Sequence, residues 1–162
     1  MPVDAASFAA AFRQHAMGVC LLTVQDDIDD VGTTVSSVMS VSLEPPLLAV
    51  GLSTDAYPAE VLQAVGRCAL TVLADRHAIV ASRFSSAGRP SARHLLESVP
   101  WRRAEHSGAI VLEDGLAAMD CRLAEVLPAG DHVLALLQVE DVPVLDEQAA
   151  PLIRHRGRYL AG

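Results

Sequence analysis

The chain has 162 residues, of which 51% are hydrophobic, and this predicts one folded domain over residues 1–162 and excludes a chain that is disordered throughout. Its 20 acidic and 12 basic residues leave a net charge of −8, and every basic residue is an arginine. Because the arginines form no basic block, we expect neither nucleic acid nor an anionic membrane as a main partner.

A short amphipathic helix is predicted at the N-terminus. Phe8, Phe12 and His15 recur at i, i+4 and i+7, one face of a helix over 4–16. Gly18 is predicted to end this helix, since glycine is the common residue just beyond a helical C-terminus. A buried strand is expected to follow directly, because the next residues are β-branched and aliphatic.

Two further helices are predicted in the middle of the chain. A loop over 53–55 offers side-chain caps for a helix over 58–65, and Asp75 is predicted to cap a helix that ends at about Phe84. A flexible loop over 85–92 and a helical turn follow. Strands are predicted over 19–24, 31–42, 47–53, 67–74, 119–123, 132–142, 142–145, 151–155 and 157–160.

The predicted strands outnumber the helices and are joined by short turns, including one at 128–131. Because strands and helices do not alternate regularly, a doubly wound parallel sheet is excluded. The fold class is therefore mainly β, an antiparallel barrel with short helices on its outside. The long strands over 31–42 and 132–142 are expected to close the barrel.

The three cysteines, Cys20, Cys68 and Cys121, are too few and too far apart for a disulfide framework or a zinc site. We expect buried free thiols, a reducing compartment and no metal. The longest uninterrupted apolar run, 133–137, is far below the ~20 residues of a membrane helix. With no signal-peptide pattern at the N-terminus, the sequence predicts a cytoplasmic location.

The most informative segment for function is 33–42, which has six hydroxyl side chains in ten residues. In an extended strand, Thr34 and Ser36 share one face, while Thr33 and Ser37 share the other. Hydroxyls and backbone amides there can hold a phosphate or the polar edge of a ring. A solvent-exposed edge strand is the other reading of the same composition.

Two weaker candidates come from neighbouring pairs of residues. Arg83 and Phe84 end a predicted helix, where the guanidinium can bind a phosphate while the ring packs. Asp131 and His132 enter a predicted strand, where the carboxylate can hold the imidazole for an anionic or hydride-donating ligand. A solvated helix end and a plain turn explain these pairs equally simply.

Six motifs occur in one order along the chain, at 15–23, 32–47, 81–84, 115–121, 130–132 and 151–159. In that order they resemble the flavin reductase-like family, the FMN-binding split barrels that serve as reductase components of two-component flavin monooxygenases. The resemblance runs over nearly the whole chain. It implies an antiparallel split β-barrel, a homodimer, and hydride transfer from NADH or NADPH to FMN, with FAD as a second possibility. The lack of a basic cluster near the implied nicotinamide side slightly favours NADH over NADPH.

The resemblance also implies roles for residues that match the family's motifs. It places four residues against the flavin ring and ribityl chain, namely Thr34, Val35, Ser36 and Ser37. It places Ser53 and Thr54 on the ribityl-phosphate loop, and Arg83 on the phosphate with Phe84 beside it. On the nicotinamide side it places Asp131, His132 and Tyr159. His132 is the catalytic candidate. Asp55 departs from the family pattern, because a carboxylate beside a phosphate is repulsive.

The implied activity is an NAD(P)H:flavin oxidoreductase that supplies reduced flavin to a partner monooxygenase. Two other functions remain open at this stage. One is an electron-transfer protein that holds FMN tightly, and the other is a barrel that has lost flavin and serves as a binding module. The glycine–aspartate–histidine motif at 130–132 favours the reductase over the electron-transfer protein.

Overall fold

The computed structural model describes residues 1–88 and 90–161. The helices are α1 (Ala5–Phe12), α2 (Tyr57–Val65), α3 (Ala78–Phe84) and α4 (Ala92–Leu95), with a 3₁₀ turn over Asp75–His77. The strands are β1 (Met17–Gly18), β2 (Cys20–Gln25), β3 (Asp30–Val35), β4 (Val38–Leu43), β5 (Pro46–Ser53), β6 (Arg67–Val72), β7 (Trp101–Arg103), β8 (Ile110–Leu112), β9 (Ala117–Ala129), β10 (His132–Leu145), β11 (Leu152–His155) and β12 (Arg158–Ala161).

Seven strands form one antiparallel sheet in the order β3-β2-β6-β9-β10-β5-β4. Its two outer strands, β3 and β4, are consecutive in the chain and are joined only by Ser36 and Ser37. The sheet must therefore curl until its edges meet, which produces a barrel with a seam at these two serines. The mainly β fold and the antiparallel split barrel predicted from the sequence are confirmed.

The predicted single strand over 31–42 is wrong, because the structure divides it into β3 and β4. β3 pairs with β2, whereas β4 pairs with β5 at the opposite edge of the sheet. One straight strand cannot pair with both edges, so the chain turns between them. The backbone amide of Gly51 donates to the carbonyl of Ser37 at 2.8 Å and fixes this turn.

The first helix is shorter than predicted, and Gly18 lies in β1 rather than at its end. The amides of Gln14 and His15 bond to carbonyls only three residues earlier, a tightened geometry that ends the helix after Phe12. At the other end, Asp4 caps α1 by accepting a hydrogen bond from the amide of Ser7 at 2.9 Å. No residue of α1 is buried, although the helix is mostly apolar.

The predicted caps of the next two helices are also wrong. α2 begins after Ala56, which makes no side-chain cap, because the hydroxyl of Thr54 donates instead to the carbonyl of Asp131 at 3.1 Å. Asp75 lies within the 3₁₀ turn that precedes α3, and its carboxylate accepts from the amide of Arg76. In both places the side chain that was predicted to cap the helix forms its hydrogen bond within or to a neighbouring turn instead.

The hairpin of β9 and β10 is longer than the predicted strands over 119–123 and 132–142, and its turn is confined to Gly130 and Asp131. The outer part of β9 is largely exposed, so it lacks the alternating burial that marks a strand in sequence. Its backbone stays extended because it pairs with β10, which also pairs with β5.

Two apolar clusters hold the elements around the site. The first fills the barrel and includes Leu22, Val50, Leu70 and Leu137, and α2 covers it with Leu62. The second lies outside the barrel, where α3, α4 and the small sheet of β1, β11 and β12 pack together. Its largest fully buried side chain is Phe84, and Val19, Leu73, Leu96 and Leu152 belong to the same cluster.

Candidate functional site

The seam between β3 and β4 carries hydrogen-bonding groups that the protein itself leaves free. Within residues 1–88 and 90–161, the hydroxyls and backbone amides of Ser36 and Ser37 bond to no other residue. Strand pairing engages one edge of β3 with β2 and one edge of β4 with β5, and it stops at these two positions. The seam therefore offers two amide donors and two hydroxyls to a ligand.

These groups line a cavity of about 550 Å³, which we call the seam cavity. Ser36 and Ser37 lie on one side of it, while Phe12 and His15 of the N-terminal segment lie on the other. Gly51 leaves room for the side chain of Ser37, since a Cβ atom at position 51 would lie 3.1 Å from Cβ of Ser37. The volume falls within the range of sites for small molecules and cofactors.

A second recess of about 580 Å³, the loop cavity, lies on the far side of β3. Thr33 and Ser53 contribute hydroxyls to its wall, and Tyr57 of α2 contributes an aromatic ring. Asp55 also lines the loop cavity, so the carboxylate that departs from the family pattern does face this space. The loop cavity is therefore less suited to an anion than the hydroxyls alone indicate.

The structure separates the predicted cofactor residues of β3 by their surroundings. The hydroxyl of Thr34 donates to the carbonyl of Ala81 at 2.7 Å, which ties β3 to α3. The side chain of Val35 points into the barrel core and is 6% exposed. Both residues can therefore meet a ligand mainly through their backbone, whereas Ser36 and Ser37 can use their side chains.

Arg83 and Phe84 end α3 as predicted, but neither lines the seam cavity or the loop cavity. The guanidinium of Arg83 donates to the carbonyl of Leu95 at 3.3 Å and is otherwise exposed. Phe84 is fully buried beneath β3. Its contribution to any binding site is to support the strand above it.

Asp131 and His132 lie at the turn of the long hairpin, beside the predicted phosphate loop. His132 pairs across the sheet with Ser53, and its Nδ1 lies 2.8 Å from Oδ1 of Asp131. The hydrogen bond from the imidazole and its charge lower the pKa of Asp131 from its ordinary value. Thr54 also bonds to this turn, so the exposed Thr54, Asp131 and His132 form one group with the half-buried Ser53.

Tyr159 lies apart from that group. It is in β12, directly opposite Arg154 of β11, and its ring packs against the apolar cluster around Phe84. Tyr159 lines neither the seam cavity nor the loop cavity. Its predicted place on the nicotinamide side remains a prediction.

Cys20 lines the seam cavity with an unreactive thiol. It is the first residue of β2, lines the cavity at its base and is 6% exposed. Burial raises the pKa of its thiol to about 12. The thiol therefore remains protonated near neutral pH and offers an apolar surface rather than a nucleophile.

Part of the site was not predicted from the sequence. Phe12 and His15 were expected to share one face of a helix, whereas in the structure their rings, tilted by 48° with centroids 5.5 Å apart, line the seam cavity. One signal was available, since an apolar helix that is too short to stand alone usually covers something. The position of that helix could not be read from local pattern.

Comparisons with known proteins identify the family of this chain. The family model described as "Flavin reductase like domain" matches residues 12–162. An NADH-dependent FMN reductase of Streptomyces nodosus subsp. asukaensis is 34% identical over 94% of this chain and 82% of its own length. A protein of Streptomyces coelicolor named actinorhodin polyketide dimerase is 35% identical over 99% of this chain and 88% of its own length.

Solved structures show the same likeness. The flavin reductase component of a bacterial two-component tryptophan halogenase superposes with a TM-score of 0.89, at 30% identity and 98% coverage of both chains. An NADH:FAD oxidoreductase of Streptomyces globisporus also superposes with a TM-score of 0.89, at 26% identity, covering 99% of this chain and 94% of that one. The family match spans most of the chain and two relatives exceed 30% identity, so this chain belongs to the flavin reductase-like domain family.

Proposed function

We propose that this chain is an NAD(P)H:flavin oxidoreductase that supplies reduced flavin to a separate monooxygenase. The observation that carries the proposal is the seam cavity, where Ser36 and Ser37 present hydroxyls and amides that no described residue uses. A bound flavin supplies the redox chemistry, since its ring accepts a hydride from the nicotinamide. The chain's part is to bind the two rings, orient them and limit the access of water.

The donor set at the seam fits the polar edge of a flavin. That edge presents carbonyl oxygens and ring nitrogens, which need donors as well as acceptors. The amides of Ser36 and Ser37 donate only, while their hydroxyls do either. The backbone at Thr34 and Val35 continues the same wall, and the apolar side of the cavity faces the ring with Phe12 and Met17.

The phosphate end of the cofactor forms a separate part of the proposal. Ser53 and Thr54 offer hydroxyls beside the loop cavity, and Arg83 would reach a phosphate only after giving up its bond to Leu95. Phe84 supports this region from the core. Asp55 opposes an anion in the loop cavity, which favours a phosphate held at its rim rather than within it.

We propose that His132 touches the nicotinamide and is the catalytic residue. Asp131 orients its ring by the 2.8 Å hydrogen bond, and the side chain of His132 is 50% exposed, so a dinucleotide can reach it. An imidazole held in this way can donate to a carboxamide or approach the flavin. Tyr159 is proposed on the same side.

For the cofactor and substrate, we propose FMN with NADH, with FAD and NADPH as the alternatives. The relative from Streptomyces nodosus is named an NADH-dependent FMN reductase, while the one from Streptomyces globisporus is named an NADH:FAD oxidoreductase. A further relative, from Streptomyces viridifaciens, is named an NADPH-flavin oxidoreductase. We also propose a separate flavin-dependent monooxygenase as partner, because a relative from Mycobacterium tuberculosis is named the reductase subunit of one.

We further propose that two copies of the chain associate through β4. This outer strand carries exposed apolar side chains, with Met39 57%, Val41 45% and Leu43 85% exposed. Apolar surface on an unpaired edge strand favours contact with a second copy. Light scattering at micromolar concentration should give a dimer, and Val41→Glu should give a monomer, whereas Ile79→Glu on the exposed side of α3 should not. A monomeric wild-type protein would contradict the proposal.

None of the helices in the described ranges has the length and hydropathy of a membrane span. We propose a cytoplasmic location and treat residues 1–162 as one domain. The three free cysteines support a reducing compartment, since all of them are buried without a disulfide.

The test of the proposed function is oxidation of NADH and NADPH by the purified protein, with and without added FMN or FAD. Turnover that rises and saturates with free flavin supports a reductase with diffusible flavin and ranks the four substrates. A flavin spectrum without turnover would favour the electron-transfer protein instead. Absence of both turnover and flavin binding would favour a binding module.

A further inference from the structure

The arginines that the structure describes differ in their partners. Five of them pair with a carboxylate, namely Arg76, Arg93, Arg102, Arg103 and Arg122. Three others line one recess, namely Arg13 just after α1 and Arg154 and Arg156 in the hairpin of β11 and β12, and within the described residues no carboxylate pairs with them. We call these three the arginine corner.

The corner is held together by direct bonds. The amide of Arg156 donates to the carbonyl of Arg13 at 3.2 Å, and its guanidinium donates twice to Oε1 of Gln14, at 3.0 and 2.7 Å. The hairpin turn is thus fastened to the segment that follows α1. In a chain with a net charge of −8, these bonds concentrate positive charge at one place and offer an anion a fixed site.

The corner faces a third recess of about 520 Å³, the hairpin cavity. Arg13, Arg154 and Arg156 line it together with Phe12 and His15. Phe12, His15, Met17 and Ser36 line both this cavity and the seam cavity, so the two recesses are immediate neighbours. A ligand whose ring lies at the seam can therefore extend its charged part to the arginines.

We propose that the arginine corner binds the diphosphate of a dinucleotide, with Arg154 as its principal contact. This inference rests on the proposed function, because it assigns the charged part of a ligand whose redox ring lies at the seam. A diphosphate matches the forked donors of two arginines, and the neighbouring rings of Phe12 and His15, tilted by 48° to each other, offer aromatic surface for a base. Both NAD(P)H and FAD carry this group, whereas FMN does not.

The direct test is calorimetric titration of the full chain with ADP, which has the diphosphate and the base but no redox ring. Arg154→Gln is the sharpest variant, since the guanidinium of Arg154 bonds to no described residue and its loss leaves the turn intact. We expect the Kd for ADP to rise by about tenfold, because one charged contact to phosphate is lost. Arg67→Gln is the matched control, as Arg67 is exposed and lines none of the three cavities.

Kinetics then distinguish the two sources of the diphosphate. If it belongs to the nicotinamide dinucleotide, Arg154→Gln raises the KM for NADH about tenfold and leaves the Kd for FAD unchanged. If it belongs to FAD, the Kd for FAD rises while the KM for NADH measured with FMN stays the same, and the phosphates of FAD then lie at the arginine corner instead of beside the loop cavity. A loss confined to NADPH would assign the arginine to the 2′-phosphate and overturn the proposal.

Failure of this inference can be told apart from failure of the proposed function. If wild-type protein oxidises NADH but ADP does not bind at millimolar concentration, the arginine corner is no diphosphate site. The same holds if Arg154→Gln and Arg67→Gln bind ADP equally well. If ADP binds and Arg154→Gln weakens it while no flavin is reduced, the subsite stands and the reductase proposal fails.

Discussion

Phe84 lies directly beneath Gly32, and a Cβ atom on Gly32 would lie 2.8 Å from Cε1 of Phe84. These residues belong to two motifs that are 52 positions apart in the sequence. Because Phe84 is fully buried, it cannot move aside without disturbing the second apolar cluster. The contact explains in physical terms why β3 carries a glycine between the two cavities.

We therefore expect Gly32→Ala to destabilise the fold. The added methyl group overpacks a filled core, which typically costs about 1–3 kcal/mol. Urea unfolding followed by circular dichroism would measure the free energy of unfolding. Gly18→Ala is the control, since a Cβ atom there meets nothing within 4 Å and should change stability little. Equal effects of the two substitutions would show that the packing beneath β3 is looser than described.

Ser36 and Ser37 should decide flavin affinity. Replacing both with alanine removes two hydroxyls from the seam cavity but keeps the backbone amides. Each lost hydrogen bond is worth about 0.5–1.5 kcal/mol, so we expect the Kd for FMN to rise between several-fold and about a hundredfold. Quenching of flavin fluorescence measures this. Ser40→Ala on β4, outside all three cavities, should leave the affinity unchanged.

His132→Ala should separate catalysis from flavin binding. If His132 contacts the nicotinamide, we expect kcat/KM for NADH to fall by about 10- to 100-fold, as for the loss of a positioning contact. The Kd for FMN should change less than twofold by the same reasoning. Asp131→Asn keeps a weaker bond to the imidazole and should give an intermediate loss. The opposite pattern, with weaker flavin binding and normal kcat/KM, would remove the assigned role.

Among the charged side chains near the surface, Asp30 should be the one whose removal most lowers the free energy of unfolding. Its carboxylate is 3% exposed, and Nη2 of Arg103 and Nε of Arg93 each lie 2.9 Å from Oδ2. This hydrogen bonding to Asp30 raises the pKa of Arg103, so the arginine stays charged at every pH of interest. Asp30→Ala removes the carboxylate that both arginines share. Because the side chains of Arg103 and Arg93 are 36% and 53% exposed and Arg93 keeps its contact with Asp29, we expect a loss of about 1.5–3 kcal/mol in the free energy of unfolding, as for lost hydrogen bonds to a charged group.

The neighbouring carboxylate provides the control for that experiment. Asp29 is partly exposed and lies 3.6 Å from the guanidinium of Arg93. An exposed ion pair contributes at most about 1 kcal/mol, so Asp29→Ala should be mild. If both substitutions cost the same in urea unfolding, Asp30 is not the centre of this network.

The thiol of Cys20 predicts a loss of stability at alkaline pH. Its pKa is raised from 9.0 to about 12 in the folded chain, so above pH 9 the unfolded chain releases a proton that the folded chain keeps. Release from the unfolded state alone lowers the free energy of unfolding between about pH 9 and 12. Cys68 is buried beside Cys121 and its pKa is also raised, which adds to the same trend.

Urea unfolding of wild-type protein and of Cys20→Ala at several pH values between 8 and 11 would measure this effect. We expect the variant to lose less stability over that interval, because it has no thiol at position 20 to titrate. Iodoacetamide should fail to label Cys20 in the folded protein at pH 8 and should label it rapidly in urea. Rapid labelling of the folded chain would contradict the burial of this residue.

Local pattern was sufficient for much of the barrel. Aliphatic runs such as the one in β2 alternate or stay buried in ways that indicate strands, and the order of the six motifs indicated the family. The pattern failed at Ser36 and Ser37, where an unbroken run of Val, Thr and Ser looked like one strand. No local property marks the turn, because it results from the sheet edges meeting.

The candidate site shows the same division. Ser36, Ser37 and Ser53 were recognisable from their motifs, and the structure places them on the walls of two cavities. No shared site could be predicted for Phe12, His15 and Arg154, since they lie at opposite ends of the chain and are brought together by tertiary contacts such as the pairing of β1 with β11. Arg83 and Phe84 were expected together at a phosphate, but Phe84 is buried in the core and Arg83 is exposed to solvent.

The sequence by itself determined the strand-rich composition, the acidic charge and the succession of motifs, because these depend on residues close together in the chain. Only the tertiary structure decided where the barrel opens, which hydroxyls remain free and which arginines stand together without a carboxylate. Those properties arise from contacts between residues far apart in sequence, such as Gly32 with Phe84 and Arg13 with Arg156. Their energies depend on packing and distance, which no window of sequence contains.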